Sequence, residues 1–316
     1  MDHQTAPRHP AVPTRLDEAA LAGVVRAVPE LTRAARPELR ATDDGVQLHA
    51  GRNGRPHTVD PLGRGRAITG GAALRNLELA VVHAGHRPLT ALLPDPGDLM
   101  HLATVGTGEP DPDEPPDPHE RRLYLAMARG ASEGGAFSAR QLTPPLARRL
   151  HTAGRPVGVS TTPITGSQLR TVGTVLATAA NRRLVDEDQL ADIERLLSEQ
   201  PATAGAAAAP GAALAEQLGR GRLLLIATPN DAPADWVRAG WAVQNVRLTA
   251  ADNGLLASVV GGVLDAPGVR ATLADRFRLD TCPQLLLRIG WARAHRPGER
   301  ARSRGHPVEA GGLPLT

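Results

Sequence analysis

GAALRNLELAVVHAG, at Gly71–Gly85, is the stretch around which the chain is organised, because a related stretch, GWAVQNVRLTAADNG, occupies Gly240–Gly254. Aligned without a gap, the two share glycine at both ends and an alanine, an asparagine and a leucine between them. Each is apolar except for a narrow polar stripe, which is typical of a largely buried helix. The closing residues Gly85 and Gly254 are placed as C-terminal helix caps. The pattern predicts two equivalent, buried helices.

The sequence around each stretch is also similar. A strand-like run precedes each, within 46–60 and 223–236, and a short apolar run with an acidic-proline turn follows, within 88–97 and 255–268. Helices rich in alanine and glycine also resemble one another by composition alone, but the matching flanks favour a repeat, and two copies are too few for a solenoid. We therefore expect an α+β fold. It would be a pseudo-dimer of two fused half-modules, each a mixed or antiparallel sheet packed on a buried central helix.

Composition shifts along the chain divide it further. GTGEPDPDEPPDP is acidic and proline-rich, as linkers and exposed crossovers are. Leu99–Val105, just before it, has the pattern of a short helix. The predicted order is a disordered arm at 1–15, a first half at 16–105, the linker at 106–118, a second half at 119–292 containing an alanine-rich loop at 202–210, and an arginine-rich tail at 293–316.

The charge composition excludes several classes of site. All 36 basic residues counted as lysine or arginine are arginine, so lysine Schiff bases, phosphate-loop lysines and lysine general bases are excluded. The net charge is only +3 and aromatics make up 2% of residues, so we expect no nucleic-acid partner. No apolar run approaches a membrane span, and the first residues carry no signal-peptide pattern, so a cytoplasmic protein is expected. Abundant arginine without lysine is typical of a GC-rich bacterial genome.

Few residues stand out as reactive groups. His83 and His86 lie three residues apart near a helix end, either as metal ligands or as ordinary polar residues, and no third ligand is near them in sequence; we expect no metal. Cys282, the single cysteine, is either a nucleophile or a small buried thiol before Pro283. No phosphate-loop, dinucleotide or nucleophile-elbow motif is present.

Three segments resemble a known family. DPLGRGRAITGGAALRNLELAVVHAGHRPLTALLPDP (Asp60–Pro96) is similar to the first half of the Acg-type branch of the nitroreductase family, whose members are actinobacterial single-chain double nitroreductases. DWVRAGWAVQNVRLTAADNGL (Asp235–Leu255) resembles their second half, and PQLLLRIG (Pro283–Gly290) their closing strand. The resemblance implies a monomeric pseudo-dimer with one FMN in a cleft between the halves, two-electron flavin chemistry, and NAD(P)H as the candidate electron donor.

The resemblance also implies where the cofactor would be held. The family motif Ala-Pro-Ser-x-His-Asn-Thr-Gln-Pro-Trp corresponds to VPELTRAARPEL, which places two arginines near the asparagine and glutamine positions. The motif Arg-Arg-Thr-x-Arg-x-x-Phe corresponds to RGASEGGAF, which keeps a serine and the phenylalanine but loses the arginines nearest them. Two arginines in the tail represent the usual pair before the C-terminus. The implied cofactor-binding residues are Arg33, Arg36, Arg129, Ser132, Phe137, Arg302 and Arg304.

Two classes of function follow. The first is a nitroreductase-like flavin oxidoreductase with a small-molecule substrate, for which the sequence identifies no catalytic side chain. The second is a degenerate relative that kept the fold and lost the catalytic site, and that binds or sequesters flavin or another ligand, or acts in regulation. The lost arginines motivate the second class, since a phosphate dianion held between two halves needs charge-assisted arginine contacts.

Overall fold

Two halves with the same strand order make up the protein. The structure, a computed structural model, describes residues 16, 18–28, 36–43, 45–51, 62–109, 117–128, 136–181, 190–191, 193–194, 210–260, 262–266 and 268–293. The predicted arm at 1–15, positions 202–209 of the alanine-rich loop and positions 294–316 of the tail lie outside these residues.

The first half is a four-stranded antiparallel sheet with a long helix against it. Its strands lie in the order β1-β2-β4-β3. A long helix, α2, connects β2 to β3, which are the second and third strands along the chain. The elements are α1 (Glu18–Arg26), β1 (Glu38–Thr42), β2 (Gly45–His49), α2 (Arg64–His83), β3 (Arg87–Leu92) and β4 (His101–Gly108).

The second half repeats this plan with additional helices. Its antiparallel sheet has the order β5-β6-β8-β7, and a long helix, α7, again connects the second strand to the third. The elements, after the connecting helix α3 (Pro118–Ala128), are α4 (Pro144–Thr152), β5 (Ser160–Ile164), α5 (Ser167–Asn181), α6 (Pro210–Leu218), β6 (Arg222–Thr228), α7 (Pro233–Asp252), β7 (Leu256–Val260), α8 (Val269–Phe277) and β8 (Cys282–Gly290).

The helices α2 and α7 pack against each other at the centre of the molecule, as predicted. Leu77 of α2 and Val246 of α7 are both fully buried and belong to one hydrophobic core that also includes residues of both sheets. A Cβ atom at Gly71 would lie 1.9 Å from the carbonyl oxygen of Val237, and one at Gly240 would lie 1.8 Å from that of Ile68. The two backbones are therefore in direct contact, which only glycine permits at both points.

The two sheets differ in what covers their outer faces. In β6, Leu224 and Ile226 face the central core shared with α7, while Leu223 and Leu225 face a second core. This second core also contains residues of α5, α6 and α8, so these helices form an additional layer on the far side of the second sheet. On the first sheet, Arg40 of β1 is exposed on the face away from α2, as in antiparallel sheets with one solvated side.

Three predictions of local structure were wrong. Leu99–Val105 is not a helix, because His101–Gly108 forms β4, the central strand that pairs with both β2 and β3. The run is too short for an independent helix, and Leu102, Ala103 and Val105 are buried within the sheet. As a result, positions 106–108, assigned to the linker, belong to β4. Pro210, assigned to the alanine-rich loop, begins α6, where proline at the first helical position is favourable.

The third error concerns 157–160, where the short apolar run of the sequence predicts a strand. A 3-10 turn occupies Arg155–Val157, and Gly158 follows with φ of 75°, so the extended conformation begins only at Ser160. Glycine adopts this left-handed conformation without steric cost and terminates the turn.

Candidate functional site

A reciprocal pair of hydrogen bonds joins the two central helices. Arg75 Nε donates to Asn245 Oδ1 at 2.8 Å, and Gln244 Nε2 donates to Asn76 Oδ1 at 2.7 Å. Arg75 and Gln244 occupy equivalent positions in the two aligned stretches, as do the two asparagines. Each asparagine therefore accepts a hydrogen bond from the opposite half at the same point of its helix.

Both asparagines also tie their helix to their own half. Asn76 Nδ2 donates to the carbonyl oxygen of Val24 in α1 at 3.2 Å, and Asn245 Nδ2 donates to that of Ala153 after α4 at 2.6 Å. Since both side chains are buried, these partners satisfy groups that would otherwise be costly to desolvate. The network fixes the relative position of four helices around the boundary between the halves.

A carboxyl group lies next to this network. Glu78 of α2 accepts hydrogen bonds from Trp241 Nε1 at 2.6 Å and from the Thr90 hydroxyl at 2.8 Å. Burial raises the pKa of Glu78 above its ordinary value, and the two hydrogen bonds and the charge of Arg75 offset only part of that effect. The Arg75 guanidinium also lies over the Trp241 ring, 4.7 Å from its centroid, and donates to Glu120 of α3 at 2.6 Å.

A buried arginine connects the halves at the start of α2. Arg64 donates through Nε to Gln284 Oε1 of β8 at 3.0 Å, and it also bonds the Gln284 carbonyl oxygen and the Asp265 carboxylate. Gln284 in turn donates to Thr228 Oγ1 at 2.9 Å and to Asp231 Oδ1 at 3.1 Å. A continuous hydrogen-bond chain therefore runs from the first half into the loop that precedes α7.

Asp231 is the ionised end of that chain. Its burial acts to raise the pKa, but hydrogen bonds from Arg270, Trp236 and Gln284, with the charge of Arg270, outweigh it and lower the pKa to about 2. Arg270 Nη1 lies 2.8 Å from both carboxylate oxygens, and Trp236 Nε1 lies 2.7 Å from Oδ1. The carboxylate is a fixed negative charge at neutral pH.

Cys282 lies close to this carboxylate. Burial raises the pKa of its thiol, and the Asp231 charge raises it further. A nucleophilic cysteine needs the opposite shift, because the thiolate is the reactive form. Of the two interpretations of Cys282, the structure favours a small, partly buried thiol.

The end of the motif-like stretch RGASEGGAF, at 129–137, pairs with the segment before the arginine-rich tail. Phe137 forms an isolated antiparallel bridge with Ala292, and two backbone hydrogen bonds of 2.8 Å flank it, from Ser138 N to Trp291 O and from Arg293 N to Ala136 O. Ala136 and Arg293 therefore lie side by side in the fold.

Cationic and donor groups surround this bridge. The Arg288 guanidinium lies 4.1 Å from the centroid of the buried Phe137 ring, and that of Arg140 lies 4.0 Å from the Trp291 ring. The Trp291 indole N–H is buried, and no residue that the structure describes accepts a hydrogen bond from it. A buried, unsatisfied donor in a native structure calls for an explanation, and a bound acceptor is one of the possible ones.

Of the residues implied by the family motifs, Arg33, Arg129, Ser132, Arg302 and Arg304 lie outside the described residues. Arg36, before β1, is exposed, and its Nη1 lies 3.5 Å from the carbonyl oxygen of Arg26. Phe137 is in the core, so its ring anchors the loop end. The contacts of the described residues do not join Arg36 to Phe137.

Sequence reasoning did not single out Arg64, Gln284 or Trp291 as site residues. Arg64 lies in a glycine-arginine run, and its hydrogen-bond partner Gln284 is 220 residues away in the sequence. His83, one of the two histidines considered as metal ligands, stacks on Tyr124 with ring centroids 3.8 Å apart. Within the described ranges, no three histidine, cysteine or carboxylate side chains converge on a possible metal position. No helix in that part of the chain has the length and apolar character needed to cross a bilayer.

Comparison with known proteins gives one consistent class. No protein-family model matches the chain. Two curated proteins of Mycobacterium tuberculosis, "Putative NAD(P)H nitroreductase MT3217" of strain CDC 1551 / Oshkosh and "Putative NAD(P)H nitroreductase Rv3131" of strain ATCC 25618 / H37Rv, are each 26% identical over 258 residues. The alignment covers 74% of this chain and 73% of each relative.

Solved structures superpose less well. The FMN-dependent nitroreductase NfnB from Mycobacterium smegmatis in complex with NADPH is 12% identical and covers 59% of this chain and 99% of its own, with a TM-score of 0.39. The NADPH:FMN oxidoreductase of Vibrio harveyi is 14% identical over 61% of this chain and 80% of its own, with a TM-score of 0.35. The curated relatives, together with the two half-modules, support a nitroreductase-like family.

Proposed function

We propose that the protein is an FMN-dependent oxidoreductase of nitroreductase type that uses NAD(P)H and acts on a small molecule. The observation that carries the proposal is the Phe137–Ala292 bridge. Arg129 and Ser132 precede one side of this bridge in sequence, and Arg302 and Arg304 follow the other. The names of the curated relatives support the class of reaction.

The groups around the bridge fit a phosphate-bearing cofactor. The described residues there provide the unsatisfied Trp291 N–H and the Arg140 guanidinium. Arginine is the side chain best suited to phosphate, since its planar fork donates two parallel hydrogen bonds. Arg129 and Ser132 would reach the phosphate from one segment and Arg302 and Arg304 from the other, and Arg33 and Arg36 would approach from the first half.

When bound, FMN supplies the two-electron chemistry, so the chain has to bind, orient and shield it. The Arg64 chain and the Asn76–Asn245 network would hold the two walls of the cleft at a fixed distance, because both connect one half to the other. Since the contact between halves lies within one chain, we propose that the protein works as a monomer, and in the cytoplasm.

Flavin titration tests the proposal directly. Apo protein added to free FMN should quench its fluorescence with micromolar or tighter affinity. The pair Arg129→Ala with Arg304→Ala should weaken binding more than about tenfold, because each lost charged hydrogen bond costs roughly 1.5–3 kcal/mol. Arg148→Ala, an exposed arginine of α4, is the matched control and should leave the affinity unchanged.

The opposite result would favour the degenerate relative. If quenching does not saturate at ~100 μM FMN, an affinity worth only about 5.5 kcal/mol, the oxidoreductase proposal fails. If FMN binds but the loaded protein does not oxidise NADH or NADPH, flavin sequestration replaces catalysis as the function.

A further inference from the structure

A groove of about 720 Å³ lies between α5 and α8, on the side of the second sheet that faces away from α7. Its volume is within the range of small-molecule sites, about 300–1,000 Å³. Because the second sheet separates it from the central helices, the groove is distinct from the boundary between the halves.

Among the described residues, the lining of the groove includes two arginines and no carboxylate. Arg170 of α5 and Arg276 of α8 both line it, and neither has a hydrogen bond or ion pair with a residue of the described ranges. Two other arginines nearby in the second half are paired, Arg270 with Asp231 on the same helix α8 and Arg220 with Glu216. The groove therefore presents two uncompensated guanidinium groups to whatever enters it.

Hydroxyl groups form much of the remaining lining, where two packed helices usually present apolar residues to each other. Three threonines donate their hydroxyl hydrogens to carbonyl oxygens of their own helix: Thr171 to Ser167 at 3.3 Å, Thr178 to Thr174 at 2.7 Å and Thr272 to Gly268 at 2.7 Å. A hydroxyl that donates in this way keeps its oxygen lone pairs available. The groove thus offers acceptors beside its two cationic donors.

We propose that this groove binds a small hydroxylated phosphate, of the sugar-phosphate class, at a site separate from the flavin cleft. The guanidinium groups of Arg170 and Arg276 hold the phosphate, for which arginine provides charge-assisted hydrogen bonds. The threonine oxygens accept hydrogen bonds from the hydroxyl groups of the ligand. Val175 and Val269 form an apolar floor that contacts its carbon skeleton.

Calorimetric titration of the full chain with ribose 5-phosphate and with inorganic phosphate tests the phosphate part. Ribose 5-phosphate should bind with one-to-one stoichiometry and a Kd below about 1 mM. The double variant Arg170→Gln, Arg276→Gln should weaken it at least about tenfold, and Arg148→Gln, an exposed arginine outside the groove, should not. Both groove arginines are exposed, so their replacement leaves the core intact.

A comparison of the two ligands tests the contribution of the ligand's hydroxyl groups. Ribose 5-phosphate should bind several-fold more tightly than inorganic phosphate, and Thr272→Val, which removes one acceptor at constant shape, should reduce that advantage without changing the affinity for phosphate. Absence of saturable binding up to about 10 mM, or equal binding by the double variant and the control, overturns the site. Equal affinity for the two ligands overturns its selectivity for hydroxylated phosphates.

Discussion

Gly71 and Gly240 make the same contact from opposite sides of the crossing between α2 and α7. Each faces the carbonyl oxygen of the residue three positions before the other, Val237 in one case and Ile68 in the other. Because the two contacts are equivalent under exchange of the halves, the crossing has the reciprocal geometry of an isologous two-fold interface.

The first prediction is that Gly71→Ala and Gly240→Ala will each destabilise the protein strongly. The added methyl group meets backbone atoms that cannot rotate away, so the helices must separate, at a cost of about 1–3 kcal/mol or more. Urea unfolding measures the loss. Gly97→Ala is the control, since a Cβ there meets only the end of the Asp95 side chain, at 3.2 Å. A midpoint near that of the control for both variants would mean that the helices are not in backbone contact.

The second prediction concerns the Gln244–Asn76 hydrogen bond. In a double-mutant cycle of Gln244→Ala and Asn76→Ala, the two single changes should be non-additive by roughly 1 kcal/mol, since the bond is buried and joins the halves. Chemical denaturation of the four proteins gives the coupling. Additivity within about 0.3 kcal/mol would show that the bond contributes nothing to joining the halves.

The third prediction is a pH dependence at Glu78. Because its pKa is raised in the folded protein, the unfolded chain loses this proton first as the pH rises through 4.5, and the free energy of unfolding therefore falls. Glu78→Gln keeps the hydrogen-bonding shape but does not ionise. Its stability relative to the wild type should therefore increase as the pH rises above 4.5.

Urea unfolding at several pH values between about 4 and 8 provides the comparison. Glu216→Gln, at an exposed position of α6, corrects for the general effect of removing one negative charge. A stability difference that stays flat, or shrinks with rising pH, would contradict the assigned direction.

The fourth prediction is a pH dependence of stability at Asp231, opposite in direction to that at Glu78. Asp231 has a lowered pKa, about 2, so its contribution to stability is complete above its ordinary value of 3.8 and is lost as the pH falls toward 2. Asp231→Asn should be less stable than the wild type at pH 6, and the difference should narrow between pH 4 and 2.5. A difference that is constant with pH would mean that Asp231 is not ionised through its contacts with Arg270 and Trp236.

Sequence periodicity was sufficient for the central helices and for the strand-like runs beside them, but it was insufficient for one central strand of the first sheet. Residues 71–85 and 240–254 were assigned correctly because nearly every position of a buried helix is restricted to apolar or small side chains, which leaves a long pattern. His101–Gly108 was missed because a short apolar run takes its conformation from its neighbours. Those neighbours, β2 and β3, are separated from each other by α2 and cannot be identified from the run itself.

The candidate site was harder to predict for a related reason. Phe137 was singled out from a motif, yet its partner Ala292 and the donor group of Trp291 lie more than a hundred residues later in a segment without any motif. Arg64 was missed for the same reason, since no residue near it in sequence indicates that its charge is buried. Interactions between halves depend on the three-dimensional crossing of α2 and α7, and no local pattern encodes that crossing.

The exchange of Arg75 and Gln244 at equivalent positions has a consequence for how such an interface can change. In a homodimer, every substitution at the contact between subunits appears twice, so an arginine that suits one side is imposed on the other as well. Here Arg75 contacts Asn245 while Gln244 contacts Asn76. In the alignment of the two stretches, Glu78 occupies the position equivalent to Arg247. A chain that carries both halves can change a residue on one side of the interface without changing its equivalent on the other. One cleft between the halves can therefore acquire a specialised function while the equivalent cleft only supports the structure.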